Sequence, residues 1–268
     1  MTVVVQLSDV HIRPRGMLYQ NLVDSNAMLV SAVEAINRLR PAPDAVLITG
    51  DLTDDGSPEA YAMLKEILGM LESRYLLMPG NHDERRSLRE AFHDQPWPSQ
   101  SGEGPLNFAF DIGAVRFLAI DTTVPGLHHG ELDRSTLAWL GHELNSNKDR
   151  RCVVAMHHPP FSTGIPYLDK YGLRDLTPFR DLIARHDNID RIIAGHVHRM
   201  MQTRIGAVPV LTCPSTTTQI ALRVHEDARP ASYLEPAAFL LHRWAADTGE
   251  GVTHLCYVDQ FEGPFPFA

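Results

Sequence analysis

Five short runs of metal- and proton-binding residues punctuate this chain: Asp9-Val10-His11, Gly50-Asp51, Gly80-Asn81-His82-Asp83, His157-His158 and Gly195-His196-Val197-His198. Each directly follows an apolar run with strand character, at 3–7, 45–49, 75–78, 152–156 and 191–194. Imidazole, carboxylate and amide oxygen together suit Mn, Fe, Zn or Co and do not choose among them. No CxxC pair offers a thiolate site. Taken singly these runs are commonplace, since an Asp-x-His is usually a surface pair and an aspartate after a strand often caps a helix. Together, in this order and each at a strand end, they specify a two-metal hydrolytic centre.

Residue types within each run suggest a division of labour. An extended Asp-x-His carries both side chains on one side, so Asp9 and His11 can reach one ion, and His196 and His198 share a face in the same way. Asp51 has two carboxylate oxygens and is the natural bridge between two cations. Asn81 offers a neutral carbonyl oxygen, while the adjacent His82 points elsewhere and suits a proton donor. Asp83 is expected to cap a helix over 84–92 and to orient a histidine. Neighbours on an extended chain face opposite ways, so His157 is taken as the ligand and His158 is left behind it. Of the 14 histidines, six lie in these runs. Among the others, His242 sits in an apolar strand and is kept as a site-facing candidate. Tyr19 and Asn21 follow the first run and are placed at the entrance.

The ordered set D-x-H, GD, GNH[DE], H and GHxH, filled here from Asp9 to His198, resembles the calcineurin-like metallophosphoesterase superfamily. Segments 13–19, 156–160 and 232–243 are similar to its bacterial glycerophosphodiesterase and class III cyclic-nucleotide phosphodiesterase branch. The resemblance implies Asp9, His11, Asp51 and His198 around a first metal, and Asp51, Asn81, His157 and His196 around a second. It places His82 against the substrate phosphate. Two cations roughly 3.5–4 Å apart can share a water and depress its pKa, and the resulting bridging hydroxide attacks phosphorus. Asp51 and His82 are then the catalytic residues, and the expected substrate is a small phosphodiester, either a glycerophosphodiester or a 3′,5′-cyclic nucleotide. A phosphomonoesterase of the same superfamily is the alternative. A metal-binding scaffold without catalysis is a further one, disfavoured because every motif position is filled. No G-x-S-x-G or P-loop is present to suggest another chemistry.

The elements that position these residues alternate as strand and helix in the first half and turn strand-rich in the second. That pattern predicts an α/β fold, a four-layer α/β/β/α sandwich of two mixed sheets flanked by helices. Asp24 or Ser25 caps a first helix, Pro58 opens a second running to 71, and further helices are expected over 133–144 and from 177. Phe108 to Ile120 reads as a hairpin around Gly113, and 94–105 as a surface loop. One domain spans 1–268, with 214–236 as a polar cap or oligomerisation segment.

A hydrophobic content of 44% with 21% charged residues is that of a globular chain. The net charge of −9 argues against a nucleic-acid surface but not against a small phosphorylated substrate, because bound cations reverse the local field. The N-terminal residues lack a basic n-region, and no apolar run approaches the roughly 20 residues that span a bilayer. Cys152, Cys213 and Cys256 read as reduced thiols. The expectation is a soluble, cytoplasmic homo-oligomer with no membrane partner.

Overall fold

The computed structural model describes residues 1–98 and 104–266. In chain order the elements are β1 (Thr2–Leu7), α1 (Ser25–Asn37), β2 (Ala45–Thr49), α2 (Pro58–Leu68), β3 (Tyr75–Met78) and α3 (Arg85–Ala91). Then come β4 (Phe108–Ile112), β5 (Val115–Ile120), α4 (Arg134–Ser146), β6 (Arg151–Met156), α5 (Pro166–Asp169), α6 (Leu176–Ile183) and β7 (Ile189–Ala194). The chain ends with β8 (Gln202–Ile205), β9 (Val208–Thr212), β10 (Gln219–Ile220), β11 (Ser232–Tyr233), β12 (Ala238–Trp244) and β13 (Gly251–Tyr257).

Two large sheets form, in the orders β13-β12-β1-β2-β3 and β4-β5-β6-β7-β9-β8. Both are mixed. In the first, β1, β2 and β3 are parallel and β12 runs antiparallel to β1. In the second, β5, β6, β7 and β9 are parallel, with β4 and β8 antiparallel at the edges. β1 and β2 are buried at every position, which is why they read as continuous apolar runs rather than as alternating ones.

Strand alternation sorts the core into layers. Val5, Leu7, Val46 and Ile48 face the first helix layer, meeting Leu29, Val33 and Ile36 of α1 and Tyr61 and Leu64 of α2. Val4, Leu47, Phe117, Val153, Ile193 and Trp244 fill the space between the sheets. Leu118, Val154 and Ile192 face outward against Leu140 and Leu144 of α4 and Phe179 of α6. The four-layer α/β/β/α sandwich is therefore the observed architecture.

Helix ends follow local chemistry. Asp24 caps α1, accepting from the Ala27 N–H, and Ser25 instead donates to the His11 carbonyl. A cap of this kind is worth about 1 kcal/mol. Helix α2 stops at Leu68, three residues short of expectation, with Gly69 as its C-cap. The 94–105 loop is described only at its two ends, since 99–103 lie outside the described residues.

The 214–236 segment divides at Ile220. Ser215 to Gln219 are buried beneath the strand ends, whereas Leu222 and Val224 are exposed. Its polar composition hides this, because Ser215 and Gln219 spend their side chains on backbone groups inside the fold. Ser215 Oγ donates to the Asp9 carbonyl, and the Gln219 amide donates to the Ser215 carbonyl. β10 and β11 pair into a small two-stranded ribbon beside the site.

Candidate active site

All five runs emerge at the C-terminal ends of parallel strands, β1, β2 and β3 in one sheet and β6 and β7 in the other. This is the edge at which open α/β sheets build ligand sites. Asp9, His11, Asp51 and His198 bring one ligand atom each to within 4.8 Å of one another, all buried. His198 Nε2 lies 3.0 Å from His11 Nε2 and 3.5 Å from Asp9 Oδ1. His11 Nε2 is 3.7 Å from Asp51 Oδ2.

The other Asp51 oxygen turns the opposite way. Oδ1 is 3.3 Å from His157 Nε2, and His157 Nε2 is 3.2 Å from Asn81 Oδ1. The same Asn81 oxygen is 2.9 Å from His196 Nδ1. Each half of Asp51 thus belongs to a different cluster.

Ring-proton positions follow from the carbonyls these histidines meet. His157 Nδ1 donates to the Thr49 carbonyl at 2.8 Å, and His198 Nδ1 donates to the Thr218 carbonyl at 2.7 Å. Their Nε2 lone pairs must then point into the clusters, among carboxylate and amide oxygens. His196 Nε2 is buried with no partner at all. Converging lone pairs with an orphaned ring nitrogen are satisfied by cations, so the donor set fits a binuclear metal centre.

Electrostatics point the same way. Burial works against the Asp51 carboxylate, yet His157, His82 and His11 hold its pKa well below the usual range. Burial also disfavours a charged His157, but Asp51 and Asp9 outweigh it and push this ring up to about 9, so without a cation a proton takes the Nε2 lone pair. Burial and the neighbouring His157 depress His196 to about 3.

Backbone conformation at the strand ends differs from the extended geometry expected. Asp9, His11, Asp51, His196 and His198 all have positive φ, between 44° and 69°. The side chains within each Asp-x-His and His-x-His run therefore converge through left-handed turns and not through strand alternation. Such residues cost about 1–3 kcal/mol each and concentrate where function over-determines the backbone. Two glycines make the close packing possible. A Cβ at Gly80 would strike the Asp51 backbone nitrogen and Oδ1, and one at Gly195 would strike Ser8 Oγ.

The histidines outside the clusters sort by their partners. His158 packs beside His157 and His196, close enough to group with them, but Thr122 Oγ1 and the His128 carbonyl occupy both of its nitrogens. His82 donates from Nδ1 to the Asp54 carbonyl at 2.9 Å, which leaves Nε2 free, and its side chain is 29% exposed at the cavity. Burial opposes its charged form, but Asp51 and Asp54 raise its pKa above the ordinary value. His242 does not face the site and lies between the sheets, bonded to Gln6 and Thr253.

Asp83 corrects another expectation. Glu84, not Asp83, caps α3, accepting from the Arg86 and Ser87 N–H groups. The Asp83 carboxylate instead accepts from the backbone of Leu52, Thr53 and Gly80 and from the Tyr61 hydroxyl, and it bonds no histidine ring. It ties the Asp51 turn to the Asn81 turn. Burial pushes it up to about 6.

A cavity of about 510 Å³ opens over both clusters. Tyr19 stacks on the His11 ring at 4.5 Å and forms part of the wall, as expected. Asn21 does not line it; Gln20 does. Sequence reasoning missed Tyr167, Tyr171 and His128, which also line the cavity, because these residues belong to no motif. It also missed Thr218, whose contribution is a backbone carbonyl that no side-chain pattern reveals.

Comparison with known proteins agrees with this geometry. A family model described as calcineurin-like phosphoesterase matches residues 2–200. The probable glycerophosphodiester phosphodiesterase GpdQ of Arcobacter nitrofigilis is 34% identical over 266 residues, covering 99% of this chain and 96% of that protein. The 3′,5′-cyclic adenosine monophosphate phosphodiesterase CpdA of Pseudomonas aeruginosa is 29% identical over 243 residues, covering 84% and 86%. A dimetal phosphatase from Danio rerio shares the fold with a TM-score of 0.69 at 16% identity, covering 97% of each chain.

Proposed function

The chain belongs to the calcineurin-like phosphoesterase family, and from that membership we propose that it hydrolyses small phosphodiesters at a two-metal centre, glycerophosphodiesters first. The observation that carries this reading is Asp51, with Oδ2 turned to His11 and Oδ1 to His157. In it, Asp9, His11, Asp51 and His198 hold one metal, and Asp51, Asn81, His157 and His196 hold the other. Two bound divalent ions supply an activated water and neutralise the phosphate charge.

The chain's own residues do the rest. His82 Nε2 opens on the cavity, and in the imidazolium form that its raised pKa favours it would deliver its Nε2 proton to a phosphate oxygen or the departing alkoxide. An alkyl alkoxide is a poor leaving group, so this donor matters more for a diester of an alcohol than for an aryl ester. The Asp54 carbonyl fixes the ring by holding Nδ1–H. Tyr167 and Tyr171 give the alcohol portion an apolar wall across the cavity.

Glycerophosphodiesters lead because the relative so named matches over 99% of the chain, including the C-terminal third that supplies Thr218 and Ser232 to the cavity. Cyclic nucleotides are the second reading, supported by CpdA. A kinetic panel of glycerophosphoethanolamine, cyclic AMP and a phosphomonoester tests the order. A rate on p-nitrophenyl phosphate exceeding that on bis(p-nitrophenyl) phosphate would favour the monoesterase alternative.

The exposed Leu222, Val224, Tyr233 and Leu234 are our proposed self-association surface within 214–236, to be tested by sedimentation. Three free cysteines fit a cytoplasmic enzyme. Among the described residues, no helix is long and apolar enough to cross a membrane.

A further inference from the structure

Between the two sheets, where the surrounding core is apolar, runs a line of polar side chains that the reaction does not use. Arg191 of β7 donates from Nη1 to Thr253 Oγ1 of β13 at 2.5 Å. Thr253 Oγ1 is 2.8 Å from His242 Nδ1 on β12, and His242 Nε2 is 3.1 Å from Gln6 Oε1 on β1. The Gln6 amide then donates to two acceptors at 3.0 Å, Thr49 Oγ1 at the end of β2 and the Ala194 carbonyl at the end of β7. Thr49 Oγ1 continues to the Leu7 carbonyl at 3.2 Å.

Donor and acceptor chemistry gives this line a single direction. A guanidinium only donates and the Ala194 carbonyl only accepts, so with a neutral His242 the Thr253 hydroxyl accepts from Arg191 and donates to His242 Nδ1. His242 must then carry its proton on Nε2 and donate to Gln6 Oε1. That fixes the Gln6 amide with its NH₂ toward Thr49 and Ala194. A neutral His242 is required, and burial with Arg191 nearby keeps its pKa at about 3.

The far end of the line is what gives it a role. Gln6 is three residues before Asp9, Thr49 is two before Asp51, and Ala194 is two before His196. One side chain therefore clamps three strand ends drawn from both sheets, each carrying residues of the proposed centre. The Thr49 carbonyl is also the group that orients His157.

We propose that Gln6, aligned by His242 and Thr253, is a positioning residue that holds the two sheets' strand ends in register so that both metal clusters stay assembled. This rests on the metal-centre reading above. A site of this kind loses affinity when its supporting groups are lost, by about 10- to 100-fold for groups that orient ligands.

The experiment compares Gln6→Leu, His242→Leu and His242→Gln in the full chain. Glutamine at 242 can accept from Thr253 and donate to Gln6, so it keeps the direction of the line; leucine cannot. Metal-free protein is titrated with Mn²⁺, and melting temperature, kcat and KM on bis(p-nitrophenyl) phosphate are measured alongside. Gln6→Leu and His242→Leu are expected to bind Mn²⁺ about tenfold more weakly, with the loss in kcat rather than KM, while His242→Gln stays within about threefold of the parent. Leucine variants that melt earlier yet bind Mn²⁺ as tightly as the parent would reduce the line to a stability element and overturn the proposal. Equal losses in His242→Gln and His242→Leu would also overturn it. If the leucine variants do not fold, the near-isosteric Thr253→Val on the edge strand makes the same cut and is judged by the same titration. A parent protein that binds none of Mn²⁺, Fe²⁺, Zn²⁺ and Co²⁺ would instead remove the metal-centre reading itself.

Discussion

His198 Nε2 stands 3.0 Å from His11 Nε2, although the two residues are 187 apart in the chain and leave different sheets. His198 has committed its ring proton to the Thr218 carbonyl, so its lone pair faces His11, with Asp9 and Asp51 oxygens alongside. Such a cluster is held together by positive charge. Its ordinary consequence is that metal binding is folding energy.

Chelation should therefore lower the melting temperature as well as abolish hydrolysis. At a metal concentration a hundredfold above the dissociation constant, ligand linkage contributes about 2.7 kcal/mol per site. Scanning calorimetry before and after EDTA, then after Mn²⁺ is restored, reads this directly. Identical melting curves in all three states would contradict a centre built into the fold.

Asp51→Ala removes the oxygen that each cluster shares. The expected product loses both metals or at least the one beside His157, with hydrolysis abolished. Elemental analysis of the purified variant decides it, and full dinuclear occupancy would refute the bridge.

His82→Ala separates proton delivery from metal binding. Metal content should stay near that of the parent while hydrolysis of alkyl diesters falls by about two to four orders of magnitude. The loss on bis(p-nitrophenyl) phosphate should be smaller, because p-nitrophenolate departs without a proton. Equal losses on both substrates, or near-parental alkyl diesterase rates, would remove His82 from that role.

The strand ends were legible because a buried parallel strand reads as an unbroken apolar run, and metal-binding side chains directly after one stand out. How those side chains converge was not. Period-two reasoning grouped Asp9 with His11, and they do meet, but through residues with φ of 54° and 44°. A left-handed aspartate or histidine has no marker in sequence comparable to glycine. Asp83 was misread because its carboxylate finds backbone N–H groups 30 and 31 residues earlier, nearer in space than the helix that follows it. His242 looked site-facing because strand alternation shows that it points inward without showing which layer it enters.

Gly80→Ala tests the close approach between the second and third runs. The added methyl would meet the Asp51 backbone nitrogen and the carboxylate oxygen that accepts from the His82 N–H. Overpacking of this kind typically costs about 1–3 kcal/mol. Here the displaced group is the proposed bridge, so metal affinity should fall along with stability. Denaturant unfolding paired with metal titration checks both, and an unchanged affinity would show that the turn can relax around the methyl.

The buried His242 makes stability depend on pH with a definite sign. Burial and then Arg191 hold its folded pKa at about 3, against the ordinary value of 6.5. Above pH 6.5 the ring is neutral in both folded and unfolded chains and adds no slope. As pH falls from 6.5 toward 3, the unfolded chain takes up a proton that the folded chain refuses, so stability drops by up to about 1.4 kcal/mol per pH unit from this group. Carboxylates titrate in the lower part of that window, so the comparison must be between proteins rather than within one curve. His242→Gln keeps the hydrogen bonds and removes the titration. Between pH 6.5 and 5, its unfolding free energy should decline less steeply than the parent's, measured by urea denaturation at matched ionic strength. Parallel declines would mean that His242 accepts its proton in the folded state, and the fixed direction of the line from Arg191 to Thr49 would fall with it.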